Sequence, residues 1–127
     1  MIIHSKKRSF GKACDVSLFT LGTMRATENL DKMYDLIKSA YHTGINHLET
    51  AASYGKAEIL IGKALKKLET SENIFRKEWI ITTKVLPKGD FNYLKEHFEN
   101  SLENLKLKKI NNLAIHGINL DDIWNGF

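Results

Sequence analysis

A chain of 127 residues, 43% hydrophobic and 27% charged, has an ordinary soluble composition and enough length for one domain with a packed core. No window approaches the ~18 uninterrupted apolar residues of a membrane span, and the basic start from Met1 to Arg8 meets no apolar signal core, so a cytosolic protein is expected. The formal charge of +4 lies largely at helical spacing beside acids, as at Lys63, Lys66, Lys67 and Glu69, which is the pattern of a solvated helix face. Lys106, Lys108 and Lys109 form the densest basic cluster, yet no aromatic interleaving accompanies it, and nucleic-acid binding is not expected. The single cysteine, Cys14, makes neither an internal disulfide nor a CxxC pair nor a zinc knuckle, and reads as a small buried or edge residue.

Only Pro87 interrupts the chain and no linker is visible, so residues 1–127 read as one continuous domain. Arg8 to Phe10 and Val16 to Leu21 are short extended runs around a turn region at Gly11 to Asp15, which predicts a hairpin leading into a first core strand that ends at Gly22-Thr23. Thr27 is a suitable N-cap for a helix whose apolar positions are Leu30, Met33, Tyr34, Ile37, Ala40 and Tyr41, closed by Gly44. Ile45 to Glu49 reads as a strand, and Ala57, Leu60, Ile61, Ala64, Leu65 and Leu68 mark a second helix. Trp79 to Val85 predicts a third strand. Asp90 can cap a third helix through Phe91, Leu94, Phe98, Leu102 and Leu105, and Asn112 to His116 a fourth strand. Strand and helix alternate at about 30 residues, the length of a βαβ unit, so a parallel sheet with right-handed crossovers is predicted.

In a parallel barrel the reactive groups lie at the C-terminal ends of the strands. Glu49, Lys84 and His116 occupy such ends with inward parity, while Leu48, Thr83 and Ile115 take the opposite parity toward the helices. Tyr54 follows Glu49 by five residues. Singly, each has an ordinary structural role: a strand-end acid, a snorkelling lysine, a satisfied histidine, a helix-entry aromatic. Together, an acid, a base, a phenol and an imidazole converge on one pocket, and an acid near a buried lysine keeps that lysine charged.

Glu49-Thr50-Ala51-Ala52-Ser53-Tyr54-Gly55, followed by Glu58 and Gly62 to Leu65, closely resembles the signature of the aldo/keto reductases around their catalytic acid and tyrosine. Ile81 to Lys84 is similar to that family's lysine strand, Leu113 to His116 to its histidine strand, and Leu21 to Met24 to the first-strand exit beside the nicotinamide. The stretch Asn112 to Gly117 resembles bacterial members, cyanobacterial ones among them. The resemblance runs from about Arg8 to His116 and implies an α/β fold of the parallel (β/α) TIM-barrel type, here its N-terminal half of about four βα units behind a short β-hairpin. It implies hydride transfer from NADPH or NADH to a small-molecule aldehyde or ketone, with Tyr54 as proton donor, Lys84 lowering its pKa, Glu49 holding Lys84, and His116 orienting the carbonyl. Gly22, Thr23, Met24 and Glu49 would touch the cofactor.

Two departures from the family pattern stand out. Glu49 takes the place of an aspartate, so one extra methylene must be absorbed. A barrel of this type needs ~250 residues and eight strands, whereas four strands are expected here, with Asp121 to Phe127 reading as the opening of a next helix cut short. The expectation is therefore a truncated reductase, inactive alone, whose cofactor-phosphate contacts belong to the other half; there is no G-x-G-x-x-G and no P-loop to replace them. The competing expectation is a non-catalytic half-barrel that self-associates or pairs with a C-terminal half through its open sheet edges. An isomerase or lyase on the same barrel is disfavoured, because no metal or phosphate motif accompanies these residues.

Overall fold

The computed structural model describes residues 6–11, 14–26 and 28–118. Strands β1 (Lys7–Phe10) and β2 (Cys14–Ser17) form the predicted antiparallel hairpin, with the Cys14 thiol donating to the Phe10 carbonyl at 3.0 Å. The run from Val16 to Leu21 is not one strand. The Ser17 hydroxyl donates to the Phe19 carbonyl at 2.6 Å and bends the chain, so the first core strand, β3, is only Leu21–Gly22.

Four parallel strands then lie in chain order, β3, β4 (His47–Glu49), β5 (Ile80–Val85) and β6 (Asn112–Ile115), connected by α1 (Leu30–His42), α2 (Ala57–Glu72) and α3 (Phe91–Leu105). Consecutive parallel neighbours with a helix in every connection are the wall of a (β/α) barrel. Helix α1 is capped at Asn29, whose side chain accepts from Lys32 N at 2.9 Å; the predicted cap, Thr27, lies outside the described residues, as does Asp121 to Phe127. Asp90 caps α3 as predicted, accepting from Tyr93 N at 3.0 Å. The strands start later than the sequence suggests because backbone groups are spent elsewhere: Ile45 N donates to Ala40 O, and Trp79 N to Arg76 O. Strand β6 stops at Ile115, although His116 N still donates to Val85 O at 2.8 Å. No helix among the described residues is long and apolar enough to cross a membrane.

The alternation along the strands sorts side chains into two environments. Leu48, Ile81, Thr83 and Val85 are buried, and Leu48 and Ile81 join Met33, Ile37, Ile61, Leu68, Trp79 and Leu105 in the core against the helices. On β6 this face is more open, with Leu113 exposed and Ile115 half-buried. The opposite parity is polar. His47 Nδ1 shares a hydrogen bond with Thr20 Oγ1 at 2.9 Å and Nε2 with Thr82 Oγ1 at 2.8 Å, and Asn112 Nδ2 donates to Thr82 Oγ1 at 3.3 Å.

Asn46 fixes the hairpin at the N-terminal end of this sheet. Its backbone N donates to Ser17 Oγ, its Oδ1 accepts from Ser17 N at 2.7 Å, and its Nδ2 donates to Asp15 O at 2.9 Å. The Phe10 ring then rests 5.4 Å from the His47 ring.

Helices α2 and α3 approach closely at Gly62, where a Cβ would stand 2.5 Å from the Asn104 carbonyl oxygen. Alanine ordinarily favours a helix interior over glycine by about 1 kcal/mol. Gly62→Ala is expected to do the reverse, lowering the unfolding free energy by an amount on the order of 1–3 kcal/mol through overpacking and with it the urea midpoint; a raised midpoint would show that the helices yield. A second outcome follows from His47, whose pKa burial holds below the ordinary value of about 6.5. A histidine pKa lower in the folded than in the unfolded state gives stability that is present above pH ~6.5 and is lost as pH falls through the folded value. The Tm should therefore drop on acidification below that point, and His47→Gln should flatten the slope. An unchanged slope would place the responsible proton on another group.

Candidate active site

The C-terminal ends of β4 and β5 bring Glu49 and Lys84 together. Their register pairs Glu49 with Thr82, and Lys84 lies one inward position further along β5. The Lys84 ammonium forms an ion pair with Glu49 Oε1 and donates to the Thr50 carbonyl at 3.0 Å. Its side chain is 12% exposed against 30% for Glu49, so the pair sits at a rim with the lysine on the inner side. Burial pulls the Lys84 pKa below the ordinary lysine value, and the adjacent carboxylate opposes that loss of charge.

The loop after β4 is folded by backbone hydrogen bonds from Thr50 N to Thr82 O, Ala52 N to Lys84 O, Tyr54 N to Ala51 O and Ala57 N to Tyr54 O. Gly55 turns the chain at φ 57°, a left-handed conformation that glycine adopts without strain. Tyr54 is thereby set under Lys84, with Nζ 4.7 Å from the centre of its ring, a cation-over-ring contact. The Tyr54 ring meets His116 edge-on, with centroids 5.5 Å apart at 87°. All four residues singled out from the sequence, Glu49, Tyr54, Lys84 and His116, thus gather at one end of the sheet.

Gly22, Thr23 and Met24 leave β3 beside them. Thr23 is wholly buried, and its backbone N and its hydroxyl both donate to the Glu49 carbonyl, at 3.1 and 3.0 Å. Its side chain is thus a tie between β3 and β4, and the groups turned outward at this exit are Gly22 and Met24, the latter 53% exposed. Behind the site, Glu58 is buried in the first turn of α2, accepting from Thr83 Oγ1 at 2.6 Å and from Asn104 Nδ2 at 3.3 Å.

Two participants were not apparent from the sequence. The Thr50 carbonyl holds Lys84, and a main-chain group carries no sequence signal. Ser53 Oγ lies 2.9 Å from His116 Nδ1. It sits next to Tyr54 within the Glu49 to Gly55 motif, which is the one hint available, but its partner is 63 residues away. With Nδ1 engaged, His116 Nε2 keeps no hydrogen-bond partner among the described residues and is the nitrogen left for a ligand.

Comparison with known proteins follows the same geometry. The sequence model of the aldo/keto reductase family matches residues 18–122. The uncharacterized oxidoreductase YqkF of Bacillus subtilis is 28% identical over 131 residues, covering 92% of this chain and 40% of YqkF. The holo form of the aldo-keto reductase AKR11C1 from Bacillus halodurans superimposes with a TM-score of 0.78 at 29% identity, over 96% of this chain and 43% of that one. The Bombyx mori aldo-keto reductase AKR2E4, solved in complex with NADP, shares the fold with a TM-score of 0.74 at 22% identity, over 94% and 41%. The chain therefore spans less than half the length of these relatives.

The Ser53 contact has a direct readout. Ser53→Ala should change the imidazole 15N shifts of His116 and its tautomer ratio, leaving the fold intact because Ser53 is exposed. Unaltered His116 resonances would mean that the serine does not set the tautomer.

Proposed function

Because the chain belongs to the aldo/keto reductase family, we propose that it carries the proton-donating half of an NAD(P)H-dependent carbonyl reductase acting on small aldehydes or ketones. The observation that carries this reading is the convergence of Glu49, Tyr54, Lys84 and His116 at the C-terminal end of the sheet. Tyr54 is the proton donor in this reading. The Lys84 ammonium over its ring sets a fixed positive charge beside the phenol as the proton leaves. Glu49 and the Thr50 carbonyl hold the Lys84 ammonium in place. His116, its Nδ1 engaged by Ser53, offers Nε2 to the carbonyl oxygen, where a fixed dipole stabilises developing negative charge.

The residues present fit the nicotinamide end of such a cofactor. Gly22 and Met24 are outward beside Glu49, and the Thr50 hydroxyl is buried there without a partner among the described residues. When bound, the nicotinamide supplies the hydride. The phosphate end requires donors that we assign to barrel length beyond residue 118, whether continuous with this chain or on a separate one. Since reduced nicotinamides are its co-substrate, we assign the protein to the cytosol.

A second reading is supported by the sheet itself, whose edges among the described residues are β3 and β6. Unpaired strand edges invite pairing, so a half-barrel serving only as an assembly module, joining a second copy or a C-terminal half, is the alternative. Titrating the 127-residue chain with NADPH while measuring its mass in solution separates the two halves of the argument. Weak or absent binding by a self-associating chain is expected; tight, saturable binding by a monomer would place the cofactor grip within these residues.

The proton-donor assignment is tested on the full-length polypeptide that carries these residues. Tyr54→Phe should lower carbonyl reduction by roughly 10²–10⁴-fold, the usual worth of a general acid, while cofactor binding barely changes. Glu49→Asp should keep or raise activity and Glu49→Gln should lower it. Near-normal turnover in Tyr54→Phe removes the tyrosine from this role, and a Gln variant as active as Glu removes the charge pairing.

A further inference from the structure

The basic cluster for which the sequence suggests no role borders a cleft at the other end of the sheet. Arg76 and Lys77, from the one-turn helix Arg76–Glu78 that precedes β5, face the loop that leads from α3 into β6. The cleft between them is about 480 Å³ and is lined also by Trp79, Leu107, Lys108, Lys109, Ile110 and Asn111. That volume falls in the range of small-molecule sites, ~300–1,000 Å³. At about 3.3 Å per residue, β5 carries the chain roughly 17 Å from Trp79 to Lys84, so this is not the reductase site.

Its lining is cationic and rich in donors. Four basic side chains line it, Arg76, Lys77, Lys108 and Lys109, and no Asp or Glu does so among the described residues. The Arg76 guanidinium is half-buried and donates to two neutral acceptors, Trp79 O at 2.6 Å and Asn111 Oδ1 at 2.7 Å. Burial disfavours its charge, and neither acceptor compensates. Arg76 Nε and Trp79 Nε1 are both buried with no hydrogen-bond partner among the described residues, and Trp79 is wholly buried. Glu78, the carboxylate of the same turn, is committed to Tyr41 Oη at 2.8 Å and Phe75 N at 2.7 Å. Four cations on one cleft, with no carboxylate among the described lining residues to match them, ask for an anion.

We propose that this cleft binds a phosphate-bearing small molecule at the N-terminal end of the sheet. A dianionic tetrahedral group offers several acceptor oxygens to the ammonium and N–H donors gathered here, which a single carboxylate does not. Leu107 and Ile110, both half-buried, give the cleft an apolar wall for an organic body. Free phosphate and a phosphate ester share the recognising chemistry and differ in their use of that wall.

Isothermal titration of the full chain with inorganic phosphate and with phenyl phosphate, at constant ionic strength, tests the site. Saturable binding at one per chain is expected. Tighter binding of phenyl phosphate assigns the site to an organic phosphate, and equal binding to phosphate itself. Lys77→Glu/Lys108→Glu/Lys109→Glu should weaken binding at least tenfold; circular dichroism checks that it folds, and the corresponding Gln variant replaces it if it does not. Lys32→Gln, an exposed lysine of α1 outside the cleft, should bind as the wild type does. Absence of saturable heat, unchanged affinity in the triple variant, or loss of binding in Lys32→Gln would overturn the proposal.

Discussion

Lys84 lies at the rim of the sheet where burial works against its charge, and much of the surrounding architecture offsets that cost. The Glu49 carboxylate compensates it from the next strand, and the Thr50 carbonyl adds an acceptor one residue later. Both depend on the parallel register of β4 and β5, since a slip of β5 by one residue would turn Lys84 toward the helices and Thr83 toward the rim. Thr23 in turn fixes the Glu49 carbonyl through two donated hydrogen bonds. The position of one cation therefore constrains three strands. The longer Glu49 side chain, in place of the shorter acid of the family pattern, reaches the lysine within this framework.

Where periodicity was strong, the chain was legible. The apolar stripes of α1, α2 and α3 and the caps at Gly44 and Asp90 follow from local chemistry, and so does the order of the parallel strands. The alternation of Leu48 against Glu49 and of Thr83 against Lys84 correctly separated core from rim. Boundaries were less legible because side-chain and turn hydrogen bonds set them. Strand β3 is two residues long after the bend that Ser17 makes by donating to Phe19 O, a local contact that the extended pattern of Val16 to Leu21 does not announce. Helix α1 begins after Asn29, whose side chain caps it two residues beyond the Thr27 read from the sequence.

At the site, side-chain identities were legible and their partners were not. The motif from Glu49 to Gly55 marked the tyrosine and the acid, yet Ser53 meets His116 only through the fold. Thr23, which the sequence places among the residues beside the cofactor, turns its side chain to the Glu49 carbonyl. A short polar residue at a strand exit suits either a ligand or a neighbouring backbone carbonyl, and only packing decides between them. The same holds at the floor of the sheet, where Asn46 spends its amide and its backbone N on the hairpin.

Glu58 is the least replaceable of the buried polar groups, because its two carboxylate oxygens serve two different elements, Thr83 on β5 and Asn104 on α3. A buried carboxylate stripped of either donor is left undersatisfied at high cost. Exchange of the acid alone would leave Thr83 Oγ1 and Asn104 Nδ2 without their acceptor, so the tolerance of each of these three positions to substitution depends on the other two. The trio thus ties α2, β5 and α3 together directly behind the rim that holds Glu49 and Lys84.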